Sequence, residues 1–97
     1  MRWTWDSRKS ARNLSERGFD FAFASAIFAG PTVERTDDRR DYGEMRRIAI
    51  GRFASVTLTV VYTDRIAADG IVERRIISAR VSTRRERQTY AQAYPEV

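Results

Sequence analysis

The chain begins with an alternation. In "RWTW", Trp3 and Trp5 fall on one side and Arg2 and Thr4 on the other, the period of a strand. Asp6 then stands where a helix N-cap belongs, and "SRKSARNLSER" follows as a helix. Its Ala11 and Leu14 are expected inward, its Lys9, Arg12 and Glu16 outward, and Gly18 ends it. "FDFAFASAIFAGP" reads as a second helix capped by Asp20 and stopped at Gly30-Pro31. Phe19, Phe21 and Phe23 also alternate as in a strand, but the alanines favour helix.

The second half changes period. "TVERT" is a possible short strand, and "DDRRDYG" reads as a salt-bridged loop. Three strand-like runs come next: "MRRIAIGR", "VTLTVVYT" and "IVERRIISAR". The middle run is the clearest, with Val56, Leu58, Val60 and Tyr62 on one face. Turns are expected near "RFAS" and at Asp69-Gly70. "TRRERQTYAQAY" closes the chain as a helix, with Thr83 and Glu86 spaced for a capping box and Tyr90 and Tyr94 on one stripe. The order β-α-α-β-β-β-α predicts an α+β fold: an antiparallel sheet of three to five strands with helices over one face. At 97 residues, a single domain spanning 1–97 is expected.

Composition narrows the chemistry. Cysteine and histidine are both absent, which removes disulfides, thiolate ligands and the commonest neutral-pH base. The most apolar run, "FAFASAIFA", is far shorter than the roughly 20 residues of a membrane span, and no leader is visible, so a cytoplasmic protein is expected. The formal charge is +5, and all 18 basic residues but Lys9 are arginine. That bias suits phosphate contact and base stacking, although a GC-rich genome also produces it. No phosphate-binding loop, dinucleotide glycine pattern or zinc spacing occurs, and no metal or cofactor is expected.

The clustering of the arginines is more telling than their number. "VERRIISARVSTRRER" carries six arginines and two acids. On its strand each side holds one isoleucine, so periodicity does not say which side is core. Arg84 and Arg85 open the last helix against the usual preference for acids, a conflict a bound anion would relieve. Arg46, Ile48, Ile50 and Arg52 share a side of their own strand. Arg46 or Arg52 is therefore expected to join Arg75, Ser78 or Arg80 on one concave surface. RNA cleavage needs a 2′-hydroxyl deprotonated, a phosphorane stabilised and a 5′-oxygen protonated. Arginines supply the middle requirement. Glu44, Lys9, Glu86, Tyr62 and Tyr90 are the candidates for proton transfer.

Several stretches resemble the BrnT family of bacterial type II toxins, small ribonucleases of RelE-like fold. "WDSRKSARNLSERGFDF" is similar to its opening pattern, carried here by Trp5, Asp6, Lys9, Asn13, Gly18 and Phe21. "YGEMRRIAIGR" resembles its middle segment at Gly43, Glu44, Arg46, Gly51 and Arg52. "VVYTDR" and "RRIISARVSTRRERQTY" resemble its last portion, at Tyr62, Thr63, Arg65, Arg75, Ile77, Ser78, Ala79, Arg80, Arg84, Glu86 and Tyr90. Two positions depart from the pattern: Glu16-Arg17-Gly18 stands where the family has Lys-His-Gly, and Val81 where arginine is common.

The resemblance implies a metal-independent endoribonuclease that blocks translation by cutting RNA. It also implies a cognate antitoxin, usually a small DNA-binding protein, through which alone operator DNA is reached. On that reading Arg46, Arg75, Arg80 and Arg84 hold the scissile phosphate and Ser78 positions it. Glu44 or Lys9 moves protons, and Arg17, Arg52, Arg65 and Arg85 contact RNA. The missing histidine keeps open a module that binds antitoxin or nucleic acid without cleaving. A plain basic interaction protein is the third possibility.

Overall fold

The structure, a computed structural model, describes residues 1–96. Its elements run β1 (Arg2–Trp5), α1 (Ser7–Arg17), α2 (Phe21–Ser25) continuing into a 3-10 turn (Ala26–Ala29), β2 (Thr32–Thr36), β3 (Arg47–Phe53), β4 (Val56–Ile66), β5 (Val72–Val81) and α3 (Arg84–Ala93). The possible strand at "TVERT" is thus a real one. The five strands form one sheet in the order β1-β5-β4-β3-β2. β2 to β5 make the expected antiparallel meander. β1 adds to β5 in parallel, a pairing direction to which side-chain periodicity is blind.

Caps place the helices. The Asp6 carboxylate accepts from the Arg8 and Lys9 amides at 2.9 and 3.2 Å, and Gly18 ends α1 in the left-handed conformation at φ 87°. Asp20 accepts from the Phe23 amide at 2.9 Å to start α2. Thr83 and Glu86 complete the capping box of α3. The turn near "RFAS" closes on Ala54 and Ser55, both at positive φ (51° and 65°), the twist a two-residue hairpin requires.

The first face of the sheet carries the main core. Phe19, Phe21, Ala24 and Ile27 pack on Leu58, Val60, Tyr62, Ile76 and Ala79, with Trp3, Trp5 and Phe28 at the margin. Each large side chain buried there contributes about 1.5–3 kcal/mol. The 3-10 turn approaches the sheet at Gly51, where an added Cβ would lie 2.8 Å from the Ile27 Cβ.

Two expectations need correction. Helix α1 buries Ser10 and Asn13, not Ala11 and Leu14; Leu14 is 51% exposed. The reason is polar: Ser10 Oγ accepts from the Phe21 amide at 3.0 Å, and Asn13 Nδ2 donates to the Phe19 carbonyl at 2.9 Å. These bonds fix the α1–α2 connection. Nor do the helices all share one face. α3 crosses one end of the second face, where Glu86 meets Arg80 and the Tyr90 and Tyr94 hydroxyls donate to the Pro31 and Thr32 carbonyls at 2.9 and 2.8 Å.

Candidate RNA-cleavage site

A bulge in β5 decides which arginines share a face. Val61 pairs with Ser78 and the next residue, Tyr62, pairs with Ile76, so Ile77 is the extra residue. Ile76 and Ala79 then both face the core, and Arg75, Ser78 and Arg80 all face the other way. This explains why each side of the strand holds one isoleucine. The register extends the second face across the sheet: Arg80, Thr59, Ile50 and Val33 form one row, and Ser78, Val61, Ile48 and Arg35 the next. Arg75 and Thr63 follow in a third, with Thr4 of β1 beside them.

At the Arg75 end, three separate segments meet. Lys9 and Asp6 come from the start of α1, Glu44 and Arg46 from the loop into β3, and Arg75 from β5. They line a cavity of about 120 Å³ with Ile76 and Ile77 at its base. A larger hollow of about 460 Å³ shares Asp6, Glu44 and Arg75 with it and also takes in Arg65, Glu73, Thr4 and Thr63. Among the described residues, the Arg75 guanidinium makes no hydrogen bond or ion pair. Arg46 approaches the Glu44 carboxylate only at 3.7 Å, and its Nε is buried without a partner. The Asp6 carboxyl is held below its usual range by the Lys9 and Arg8 amides, with help from the Lys9 and Arg75 charges. The cavity therefore holds three cations, one committed capping carboxylate and one exposed carboxylate.

Tyr42 organises this end. Its ring lies under the Arg46 guanidinium at 4.0 Å, and a second arginine, Arg40, lies 5.4 Å from the same ring. The loop carrying it is pinned by Asp37, whose fully buried carboxylate is gripped by Arg39 at 2.7 and 2.8 Å. That grip pulls the Asp37 carboxyl down to about 2. The loop read as salt-bridged is therefore so. The stacking of Tyr42 on Arg46 was missed in the sequence, though an aromatic four residues before an arginine was the available signal.

The other candidates lie elsewhere. Ser78, Arg17 and Lys9 line a neighbouring concavity along α1. Arg17 Nη1 donates to the Ala79 carbonyl at 2.7 Å and to Asn13 at 3.4 Å, capping the β5 edge beyond the end of β1. Arg65 is ion-paired to Glu73 at 2.8 Å. Arg80 sits two rows from Arg75 and is gripped by Glu86 at 2.6 and 2.9 Å, which draws that carboxyl down to about 2 and makes it a poor proton acceptor. Arg84 is exposed at the start of α3, and Arg85 lines a separate groove beneath that helix. Arg52 lies beyond Ile50 on the same face, close enough to Tyr90 for its charge to bear on that hydroxyl. Tyr90 is buried, and Tyr62 lies on the first face, donating to Glu34 and pushed up to about 12 by burial. Neither joins the cavity.

The sequence profile of the ribonuclease toxin BrnT of type II toxin-antitoxin systems matches residues 5–86. The chain belongs to the BrnT family. The matched span runs from the last residue of β1 to the start of α3 and carries with it every residue of the small cavity. BrnT proteins are toxins of type II toxin-antitoxin systems, so a cognate antitoxin is implied as partner. No curated protein matches the chain.

Proposed function

We propose that this protein, acting as one module in the bacterial cytoplasm, is an endoribonuclease toxin that cuts RNA at the cavity between α1, the Tyr42 loop and β5. The observation that carries this reading is the convergence of Lys9, Glu44, Arg46 and Arg75 on one small opening, with an unpaired guanidinium on Arg75. Arg46 and Arg75 hold the non-bridging oxygens of the scissile phosphate and stabilise the charge that grows there. Glu44 takes the proton from the 2′-hydroxyl, whose oxygen bonds to phosphorus. The bond from phosphorus to the 5′-oxygen breaks, and Lys9 returns a proton to that oxygen. The products are a 2′,3′-cyclic phosphate and a 5′-hydroxyl. Ser78 positions the phosphate from the adjoining concavity; Arg17, Arg52, Arg65, Arg80, Arg84 and Arg85 carry the flanking RNA. No step requires a metal, and the antitoxin neutralises the toxin and supplies contact with operator DNA.

Digestion of messenger RNA by the purified protein tests this. Cleavage is expected in the wild type and is expected to vanish in Arg75→Ala and Arg46→Ala. Undiminished cleavage by a folded Arg75→Ala protein removes that residue from the site. One observation favours a second reading. Arg17, at the family's histidine position, is occupied by the Ala79 carbonyl and offers only N–H donors where histidine also has an acceptor nitrogen. RNA binding without cleavage would identify a silent module that retains the cradle.

A further inference from the structure

Beneath α3 lies a groove of about 340 Å³ that the cleavage chemistry does not use. Val33 and Ile50 form its floor, Arg35 and Arg85 stand on its rim, and Thr89 closes it from the helix. Its volume falls within the range of small-molecule sites, roughly 300–1,000 Å³. Two acidic residues, Glu34 and Glu86, also line it, and both carboxylates are already occupied. Glu34 accepts from Thr32, Arg47 and Tyr62, and Glu86 accepts from Arg80 and the Thr83 amide. Among the described residues, neither the Arg35 nor the Arg85 guanidinium has a hydrogen bond or ion pair. An apolar floor with two uncommitted guanidinium groups above it therefore selects a flat apolar body joined to an anion.

We propose that this groove is a nucleotide subsite of the same RNA: a base rests on Val33 and Ile50, and Arg35 and Arg85 hold the phosphate beside it. The inference rests on the ribonuclease reading and extends it to what lies outside the cleaved bond. The sheet register supplies the path. Val33, Arg35, Ile48, Ile50, Val61 and Ser78 share the face on which Arg46 and Arg75 sit. Four residues separate Ile50 from Arg46, about 13 Å along a strand. A single strand anchored at the cavity reaches the groove within a short run of nucleotides. The groove thus sets how long an RNA must be to bind well, while the cavity sets where it is cut.

The test uses uncleavable probes, so that it reads binding whether or not the protein cuts: 2′-O-methyl RNA of twelve and of three mixed-sequence nucleotides, followed by fluorescence anisotropy. Arg35→Ala/Arg85→Ala is expected to weaken the twelve-mer about tenfold and leave the trimer unchanged. It should also flatten the salt dependence, by about 0.7 in log–log slope for each phosphate no longer held. Thr89→Trp, which fills the groove and leaves both guanidinium groups in the chain, should weaken the twelve-mer to a similar degree. Arg8→Ala, on the exposed side of α1, should not. Equal loss for both probes, an unchanged salt slope, or wild-type protein that fails to bind the twelve-mer overturns the proposal. So does a loss confined to antitoxin affinity, which would assign the groove to a protein partner. Groove-dependent binding by a protein that never cleaves RNA would instead sink the catalytic reading and leave the subsite standing.

Discussion

Arg74 and Arg75 are neighbours in sequence and opposites in circumstance. Arg74 points to the first face, where its side chain is only 15% exposed. It forks onto Asp64 at 2.8 Å twice and stacks over the Tyr62 and Phe28 rings at 4.1 and 4.8 Å. Arg75 points to the second face, is exposed, and has no such partner among the described residues. One guanidinium is spent on holding the fold and the other is held ready for a ligand. The difference teaches that arginine clustering alone says little; commitment to a partner is what separates structure from site.

The contrast breaks most sharply under alanine. Arg75→Ala should lower RNA cleavage about 100- to 1,000-fold, the scale of removing one preorganised charge donor, with the melting temperature unchanged. Arg74→Ala should do the reverse: cleavage per folded molecule is kept and stability falls by about 1–3 kcal/mol. For a protein of this size each kcal/mol lowers the melting temperature by roughly 4–8 °C. Calorimetry and a single-turnover cleavage assay on both variants decide it; matching profiles would erase the distinction.

A smaller effect sharpens it. Tyr42 prepares Arg46 as Tyr62 and Phe28 brace Arg74, but at the cavity. Tyr42→Ala should lower kcat about tenfold through Arg46, equivalent to roughly 1.4 kcal/mol of stacking, with little change in KM. Tyr42→Phe, which keeps the ring, should restore most of it. Failure of phenylalanine to rescue would shift the role to the hydroxyl.

Acid should act most strongly on the two most tightly committed carboxylates. The Asp37 and Glu86 carboxyls fall from ordinary values of 3.8 and 4.5 to about 2 in the folded protein. Their stabilisation is fully present above about pH 5 and is lost as pH falls through 4 toward 2, because the unfolded chain binds those protons first. Urea midpoints should therefore drop across that window, and drop less in Asp37→Asn and Glu86→Gln. The smallest effect belongs to Arg65, ion-paired to Glu73 but 79% exposed. Arg65→Ala should change stability by under about 1 kcal/mol, a shift that denaturant titration at two salt concentrations can bound.

Much of the scaffold is legible in the chain because its signals are local. Asp6, Asp20, Thr83-Glu86, Gly18 and the Leu58-Val60-Tyr62 alternation each act within a few residues, and each does what its pattern predicts. What the sequence hides is relational. Nothing in "RWTW" tells parallel from antiparallel pairing. Nothing in "RRIISAR" announces that Ile77 is skipped, although that skip puts Arg75 on the same face as Ser78 and Arg80. The inward Ser10 and Asn13 defeat a reading by hydropathy, since their partners are backbone groups of the α1–α2 connection and the first residue of α2. At the site, the resemblance nominates Lys9, Glu44, Arg46 and Arg75, and only the fold separates them from Arg80, which is tied to Glu86.

Gly51 has a consequence that reaches past its own position. With the Ile27 Cβ only 2.8 Å from where a methyl group would sit, the seat of the 3-10 turn is defined by a missing atom. Even alanine there would lift Ile27 and tilt Phe28 off Tyr62, whose rings now meet edge-on at 5.2 Å. The brace under Arg74 would slacken in turn, so one hydrogen in the middle of a strand keeps three layers in register.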